Sequence, residues 1–314
     1  MRYKIEGVIK KTHIILLLLL LCALMFAAAF IGVAQSSEFV IIHLRIPRII
    51  MSVFAGASLA LCGAIFQSIF RNPICDPYIL GISSGASIGA ALAFILGFDF
   101  YLFGVTSFAL VTAFFTLLLM LGITQFSKIK SSYIMLLTGI SLNFLMASVL
   151  TLLMVLNHQE MQKIIFWTMG SFATVSYPDL YFFIPIFIVC TFFTFLLSKD
   201  LNILQLGDTQ AQSLGVNTQK IIYLTLLLSS ILIAATVSIC GVIGFIGLII
   251  PHLVRIVWGN NTKTLFACSM LLGAIFMLVA DTLARILVSN AELPVGSITA
   301  LVGVPYFIYM LVRK

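Results

Sequence analysis

Continuous apolar runs, separated by short polar breaks, recur along the whole chain. The first extends from Ile14 to Ala34. Others lie near 47–70, 78–97, 102–126, 133–156, 180–198, 220–240, 242–258, 265–288 and 298–312. A helix needs about 20 apolar residues to cross the hydrocarbon core, and most of these runs approach that length. Strands of a membrane barrel would alternate apolar and polar positions over ~10 residues, which these runs do not. The pattern predicts an all-α polytopic membrane protein of about ten transmembrane helices, organised as a single transmembrane domain over 1–314. A cleaved signal segment has a shorter apolar core and a small-residue cleavage site. Ala27-Ala28-Ala29 imitates such a site, but the run is of spanning length and is read as an uncleaved first span. The boundary near 240–245 stays open, because Gly241, Gly244 and Gly247 suit either a tight turn or a broken helix.

Polar positions concentrate in one internal segment, Lys199 to Lys220, with the sequence KDLNILQLGDTQAQSLGVNTQK. It reads as one or two short helices. Asp208 has the side chain to cap a helix start, and Gly215 can take the left-handed conformation that ends one. Between them Ala211 is small enough for close approach by a neighbour. On these grounds a docking element and an ordinary solvated loop are equally good readings.

Composition narrows the class. The 314 residues are 62% hydrophobic and only 9% charged, with a mean hydropathy of +1.20. Soluble domains carry about a quarter charged residues, so a soluble fold is excluded. The net charge of +7 gives no nucleic-acid signal, because the basic residues are dispersed at the ends of apolar runs. With the N-terminus inside, thirteen of the 17 Lys and Arg fall on the inner side. Only Arg45, Arg48, Lys163 and Arg285 fall outside. The positive-inside bias therefore predicts cytoplasmic N- and C-termini and a cytoplasmic Lys199–Lys220 loop.

Candidate chemistry is sparse. No nucleophile–base set, metal-ligand spacing or phosphate-cradling loop is visible, so no metal or cofactor is expected on this chain and any ATP must be bound by another. The six cysteines lie in or beside apolar runs without C-x-x-C spacing and read as small buried hydrophobes. His13, His43, His158 and His252 are scattered. Asp281 and Arg285 lie four residues apart in an apolar run, which puts them on one helix face. A self-neutralising pair or an outer-surface role is favoured over a proton relay. Arg45 and Arg48 flank Pro47, and their guanidinium forks suit carboxylates of a docking partner as well as they suit lipid headgroups. Cys62–Pro73 and Cys240–Pro251 share Cys, Gly, Ile and Pro at a constant offset, which would suit an inverted repeat and also suits chance.

Six stretches together resemble the FecCD family of ABC-importer permeases. They are LRIPR (Leu44–Arg48), GASLALCGAIFQSIFRNPICDPYILGISSGA (Gly56–Ala86), LGDTQAQSLGV (Leu206–Val216), GVIGFIGLIIPHLVR (Gly241–Arg255), GAIFMLVADTLAR (Gly273–Arg285) and ELPVGSITALVGVPYFIYML (Glu292–Leu311). The resemblance implies a fold like that of the cobalamin-importer permease, in a bacterial inner (plasma) membrane. It implies a second permease subunit, identical or not, two cytoplasmic ATPase subunits holding ATP-Mg, and an extracytoplasmic substrate-binding protein. Leu206, Gly207, Asp208, Ala211, Leu214, Gly215 and Val216 would then form the ATPase-coupling helices. Arg45, Arg48 and Arg285 would receive carboxylates of the binding protein. Ser131, Ser132 and Tyr133 would form the cytoplasmic gate. Thr138, Ser141 and Asn143 are candidates for lining the path, with ordinary helix packing as the equal alternative. The family's cargoes order the expectation as ferric siderophore first, haem second and cobalamin third. An ion-coupled secondary transporter working without an ATPase is the rival reading.

Overall fold

The computed structural model describes residues 2–32, 37–101, 103–126, 132–288 and 292–312. Its helices are α1 (Arg2–Phe30), α2 (Glu38–Val40), α3 (Ile46–Ile69), α4 (Ile82–Ile95), α5 (Gly104–Phe126), α6 (Ser132–Leu156) and α7 (Met161–Thr168), followed by α8 (Tyr177–Leu196), α9 (Ser198–Leu204), α10 (Asp208–Ser213), α11 (Thr218–Cys240), α12 (Ile246–Trp258), α13 (Thr262–Ile286) and α14 (Val295–Val312). A π-helical turn, Ile41–Arg45, joins α2 to α3 without a break. Among the described residues no strand occurs. Seven helices are long and apolar enough to cross a membrane, and α4, α12 and α14 are shorter apolar helices.

α3 is the hub. It is buried on nearly every side, and its most extensive contact is with α13, followed by α12 and α11. Its sequence explains this, since Gly56, Ala57, Ser58, Ala60, Gly63 and Ala64 leave little side chain to hold neighbours away. A Cβ on Gly56 would collide with the Gly273 carbonyl of α13, and one on Gly63 with the Gly247 carbonyl of α12. These are backbone-on-backbone contacts, the kind small residues provide where no hydrophobic force acts between lipid-soluble helices. Buried hydroxyls on α3 turn back on their own helix: Ser58 donates to Phe54 O at 2.7 Å and Ser68 to Ala64 O at 2.7 Å.

The 240–245 boundary is a broken helix. After Cys240 the chain runs irregularly through Gly244, and α12 starts only at Ile246. Backbone groups outside a helix need partners at membrane depth, and the neighbours supply them. The Tyr78 hydroxyl donates to Ile243 O at 3.0 Å and accepts from Ile243 N at 3.3 Å. Ser171 N donates to Cys240 O at 2.8 Å. Tyr78 itself sits in a 3-10 turn, Pro77–Leu80, capped by Asp76 at 2.7 Å from Tyr78 N. The run near 78–97 is thus this turn followed by the 14-residue α4.

The two Cys–Gly–Ile–Pro segments do not form an inverted pair. Gly63 meets Gly247 while Ser68 meets Arg255, so numbering rises in the same direction on both helices and they run parallel. The glycine that the two segments share is Gly63 in one and Gly241 in the other, and Gly241 packs on Trp167 and Gly170 rather than on α3, so the similarity corresponds to no common contact.

Replacing Gly56 with Leu should cost about 3 kcal/mol or more through overpacking against α13. Gly122→Leu, where a Cβ meets nothing within 4 Å, should be neutral. Thermal melting of purified protein in detergent reads the difference, and equal melting temperatures would remove the glycine contact from its proposed role.

Candidate functional site

One candidate site is the polar connection between α8 and α11. α9 buries Leu201 and Leu204, which anchors the segment to the bundle. Gly207, at φ +124, rather than Asp208, occupies the N-cap of α10, and Asp208 instead pairs with Arg71 just beyond α3. Arg71 also donates from Nε to Leu204 O at 3.2 Å. At the far end Gly215 is left-handed at φ +82, Gly215 N donates to Gln212 O and Val216 N to Ala211 O at 3.0 Å. That six-to-one bond closes a Schellman motif. Ala211 is fully buried, whereas Leu206 and Leu214, on either side of α10, are 59% and 61% exposed. Two leucines are thus exposed on the most polar loop of the chain, while Ala211, Leu201 and Leu204 anchor it to the bundle.

A second cluster gathers the three arginines singled out from the sequence. Each is only 5–7% exposed in this chain. Arg48 clasps the fully buried Asp281 of α13 with Nε at 2.9 and 3.1 Å and Nη2 at 2.9 Å. Its Nη1 reaches Glu292 at 2.7 Å. Arg285 lies 3.5 Å from Asp281, so the local i,i+4 pair exists but is the weaker contact; the bidentate geometry of Arg48 makes it the main partner. Arg285 Nη2 approaches Ala28 O at 3.4 Å, and Arg45 Nη1 donates to Ala29 O at 2.9 Å. These carbonyls end α1 and have no partner within the helix. They also carry the negative end of its dipole, and the small alanines let two guanidiniums approach. Three guanidiniums therefore face two carboxylates and one helix C-terminus, and the buried Arg285 Nε and Nη1 make no hydrogen bond among the described residues.

The fourth outer cation, Lys163, is exposed and held by Asp99 and Glu160, both at 2.9 Å. Its ammonium lies above its ordinary value because these carboxylates, Glu160 first, accept hydrogen bonds from it.

The path candidates separate. Ser141 is exposed and Thr138 half-buried on α6, whose outward face also carries Leu137, Phe144, Leu145 and Leu152. Asn143 turns inward: its amide donates to Tyr78 O at 2.9 Å and Ile79 O at 3.2 Å, and its oxygen accepts from Ser84 at 2.6 Å. It fastens α6 to the 3-10 turn. Of the gate residues, Ser131 lies outside the described residues, as do the side chains of Ser132 and Tyr133, with which α6 opens.

Sequence reasoning missed Glu292 and the Arg48–Asp281 pairing. The pair joins positions 233 residues apart, and no local pattern reports such a contact. Glu292 could have been suspected as an acidic residue heading the last family-like stretch, seven residues after Arg285.

The described residues thus form a polytopic helical bundle with a braced polar loop at one end. The chain belongs to the FecCD transport family, whose profile matches residues 13–313. It is 40% identical to the molybdate import system permease protein of Haemophilus influenzae, over 85% of this chain and 79% of that one. It is 38% identical to the hemin transport system permease protein of Yersinia pestis, over 87% and 83%. A solved inward-facing ABC transporter assigned to the metal-chelate type superposes with TM-score 0.89 at 37% identity, covering 97% of this chain and 100% of that one. The protein is accordingly a multi-pass inner-membrane permease subunit of an ABC transporter and not an enzyme, with ATP hydrolysed by a separate chain. Family membership decides against the ion-coupled rival.

Asp281→Asn should leave the buried Arg285 guanidinium without a carboxylate and Arg48 with Glu292 alone, and lower stability by about 3–5 kcal/mol. Glu292→Gln should cost less than about 1 kcal/mol, because that carboxylate is half exposed and screened. Melting curves of the two variants in detergent test the ranking; a milder Asp281→Asn would show that the buried pair is dispensable.

Proposed function

We propose that this chain carries a metal chelate inward, delivered by an extracytoplasmic binding protein and driven by two ATPase subunits on a permease dimer. The observation that carries the reading is the Leu206–Val216 element. It is a rigid, Schellman-closed helix, braced on Arg71, that offers two exposed leucines to a cytoplasmic partner. Arg45, Arg48 and Arg285 receive carboxylates of the binding protein, with Glu292 as the exposed carboxylate that a docking partner replaces on Arg48. Thr138 and Ser141 on the outward face of α6 line the path, while Asn143 holds α6 in place. Tight grip by such a path would slow release, so weak apolar and hydroxyl contacts suit it.

For the cargo, ferric siderophore comes first, haem second and cobalamin third. Relatives named for Fe(3+)-citrate, hemin and cobalamin import support this class at 35–38% identity. A molybdate-type oxyanion is the second reading, favoured by the 40% identical permease.

The transporter assembled with its ATPase and binding protein should hydrolyse ATP faster when the binding protein is loaded with its cargo. Ferric siderophore, haem, cobalamin and molybdate, supplied in turn, identify it. Stimulation by ferric siderophore or haem is expected, and stimulation by molybdate alone would overturn the chelate assignment.

In the same assay Ala211→Trp, which cannot fit its fully buried site, should reduce stimulated hydrolysis about ten-fold or more, the scale of a typical coupling free energy. Gly215→Pro should act in the same direction. Normal membrane insertion with wild-type stimulation in both variants would take coupling away from this loop.

A further inference from the structure

Beside the α9–α10 loop lies a cavity of about 430 Å³, lined by Gln67, Ser68, Arg71, Gln205, His252 and Arg255 among others, with no carboxylate in its wall. Its electrostatics set it apart from the arginine cluster at the other end. There the buried Asp281 serves both Arg48 and Arg285. Here the half-buried Arg255 guanidinium makes no ion pair among the described residues. Its contacts are neutral: Nη1 donates to Gln67 Oε1, and Nη2 approaches Ser68 Oγ at 3.4 Å.

That arrangement is built rather than accidental. The Gln67 amide nitrogen is committed to Gly247 O at 3.2 Å and Leu248 O at 3.0 Å, which fixes its oxygen toward Arg255. Gln67 and Ser68 thus hold the guanidinium from α3 while leaving other N–H donors free. A second guanidinium, Arg71, lines the same cavity from the loop after α3. A desolvated cation without a counter-ion is costly, and two forked guanidiniums around a polar space suit a bidentate, multiply charged acceptor.

We propose that this cavity binds an oxyanion of the phosphate class, either a free tetrahedral anion or the phosphate of an anionic lipid headgroup. An anion drawn to Arg71 competes with Asp208, the partner Arg71 has in α10. Occupancy therefore loosens the brace beneath the coupling helix. The site is independent of which cargo is carried, and its test requires no transport.

The test uses the permease assembled with its ATPase, in nucleotide-free buffer. Trp167→Phe leaves Trp258, three residues from Arg255, as the reporter tryptophan on this chain, and tryptophan-free ATPase keeps the signal local. Inorganic phosphate and molybdate are titrated in detergent micelles, and phosphatidylglycerol is varied against phosphatidylcholine in nanodiscs. A saturable change is expected in at least one arm, weakened about ten- to a hundred-fold by Arg255→Gln, the scale of a lost charge-assisted contact. Arg71→Gln, at a side chain exposed in this chain, should weaken binding in the same direction, and its melting temperature reports any loosening of α10 separately. Response in micelles assigns a free anion, and response confined to phosphatidylglycerol nanodiscs assigns the headgroup. No saturable response in either arm would overturn the proposal, as would affinity unchanged in both variants. Binding seen in the isolated permease but lost in the assembled complex would give the cavity to an acidic side chain of the ATPase, and would overturn it too.

Discussion

Inside a bilayer one apolar helix gains nothing hydrophobic by leaving lipid for another helix, so the bundle has to be held by close packing and by polar contacts satisfied internally. α3 meets that constraint with bare backbone. Gly56 on Gly273 and Gly63 on Gly247 bring three helices closer than side chains would allow. The closeness has a further effect on the chain. It seats the start of α12, at Gly247, on the middle of α3, directly after the non-helical stretch that follows Cys240. That stretch survives because the Tyr78 hydroxyl and Ser171 N–H supply its hydrogen bonds.

The ionic cluster depends on the same packing. Gly56 lies eight residues from Arg48 on α3, and Gly273 lies eight residues from Asp281 on α13. The two helices run antiparallel, so one register serves both contacts, about 12 Å apart along the axis. Setting glycine on glycine delivers the carboxylate to the guanidinium. A buried ion pair contributes little net stability once desolvation is counted, so Arg48–Asp281 fixes register and orientation more than it adds strength. Glu292, half exposed on the outer flank of Arg48, is the more easily displaced partner.

Much of the architecture was legible because hydropathy in lipid is a local property. The ten apolar runs correspond to seven long and three shorter apolar helices among the described residues. The Lys199–Lys220 loop stood out as the polar exception. Its Gly215 ends α10 as read, but Gly207 displaced Asp208 from the cap, since a long-range arginine competes for that carboxylate. Contacts between distant positions were not legible. Asp281 offered an obvious i,i+4 partner in Arg285, and nothing local reveals that Arg48 approaches with better geometry. For Asn143 path lining and helix packing stayed equal readings, because a polar side chain in a span reads the same whether it faces a channel or a neighbouring turn. Its contact with Tyr78 O and Ile79 O, more than sixty positions away, is not a local property of the sequence.

α3 also connects the two ends of the molecule. Its 24 residues measure about 36 Å at 1.5 Å per residue. Arg48 near its start holds the outer cluster, and Gln67 and Ser68 near its end hold Arg255. Arg71, two residues past its last helical residue, braces α10. Energetic coupling between distant sites requires an element whose position both sites bias, and a helix with polar anchors at both ends meets that condition. Between the anchors α3 meets its neighbours through glycine backbone at Gly56 and Gly63 and also buries Met51, Leu59, Leu61, Ile65 and Phe66 completely, so a push at one end is carried along the rod rather than absorbed by loose packing. A partner that shifts α10 acts on Arg71 first and α3 next. A partner that takes Glu292 from Arg48 acts on the same rod from the opposite end.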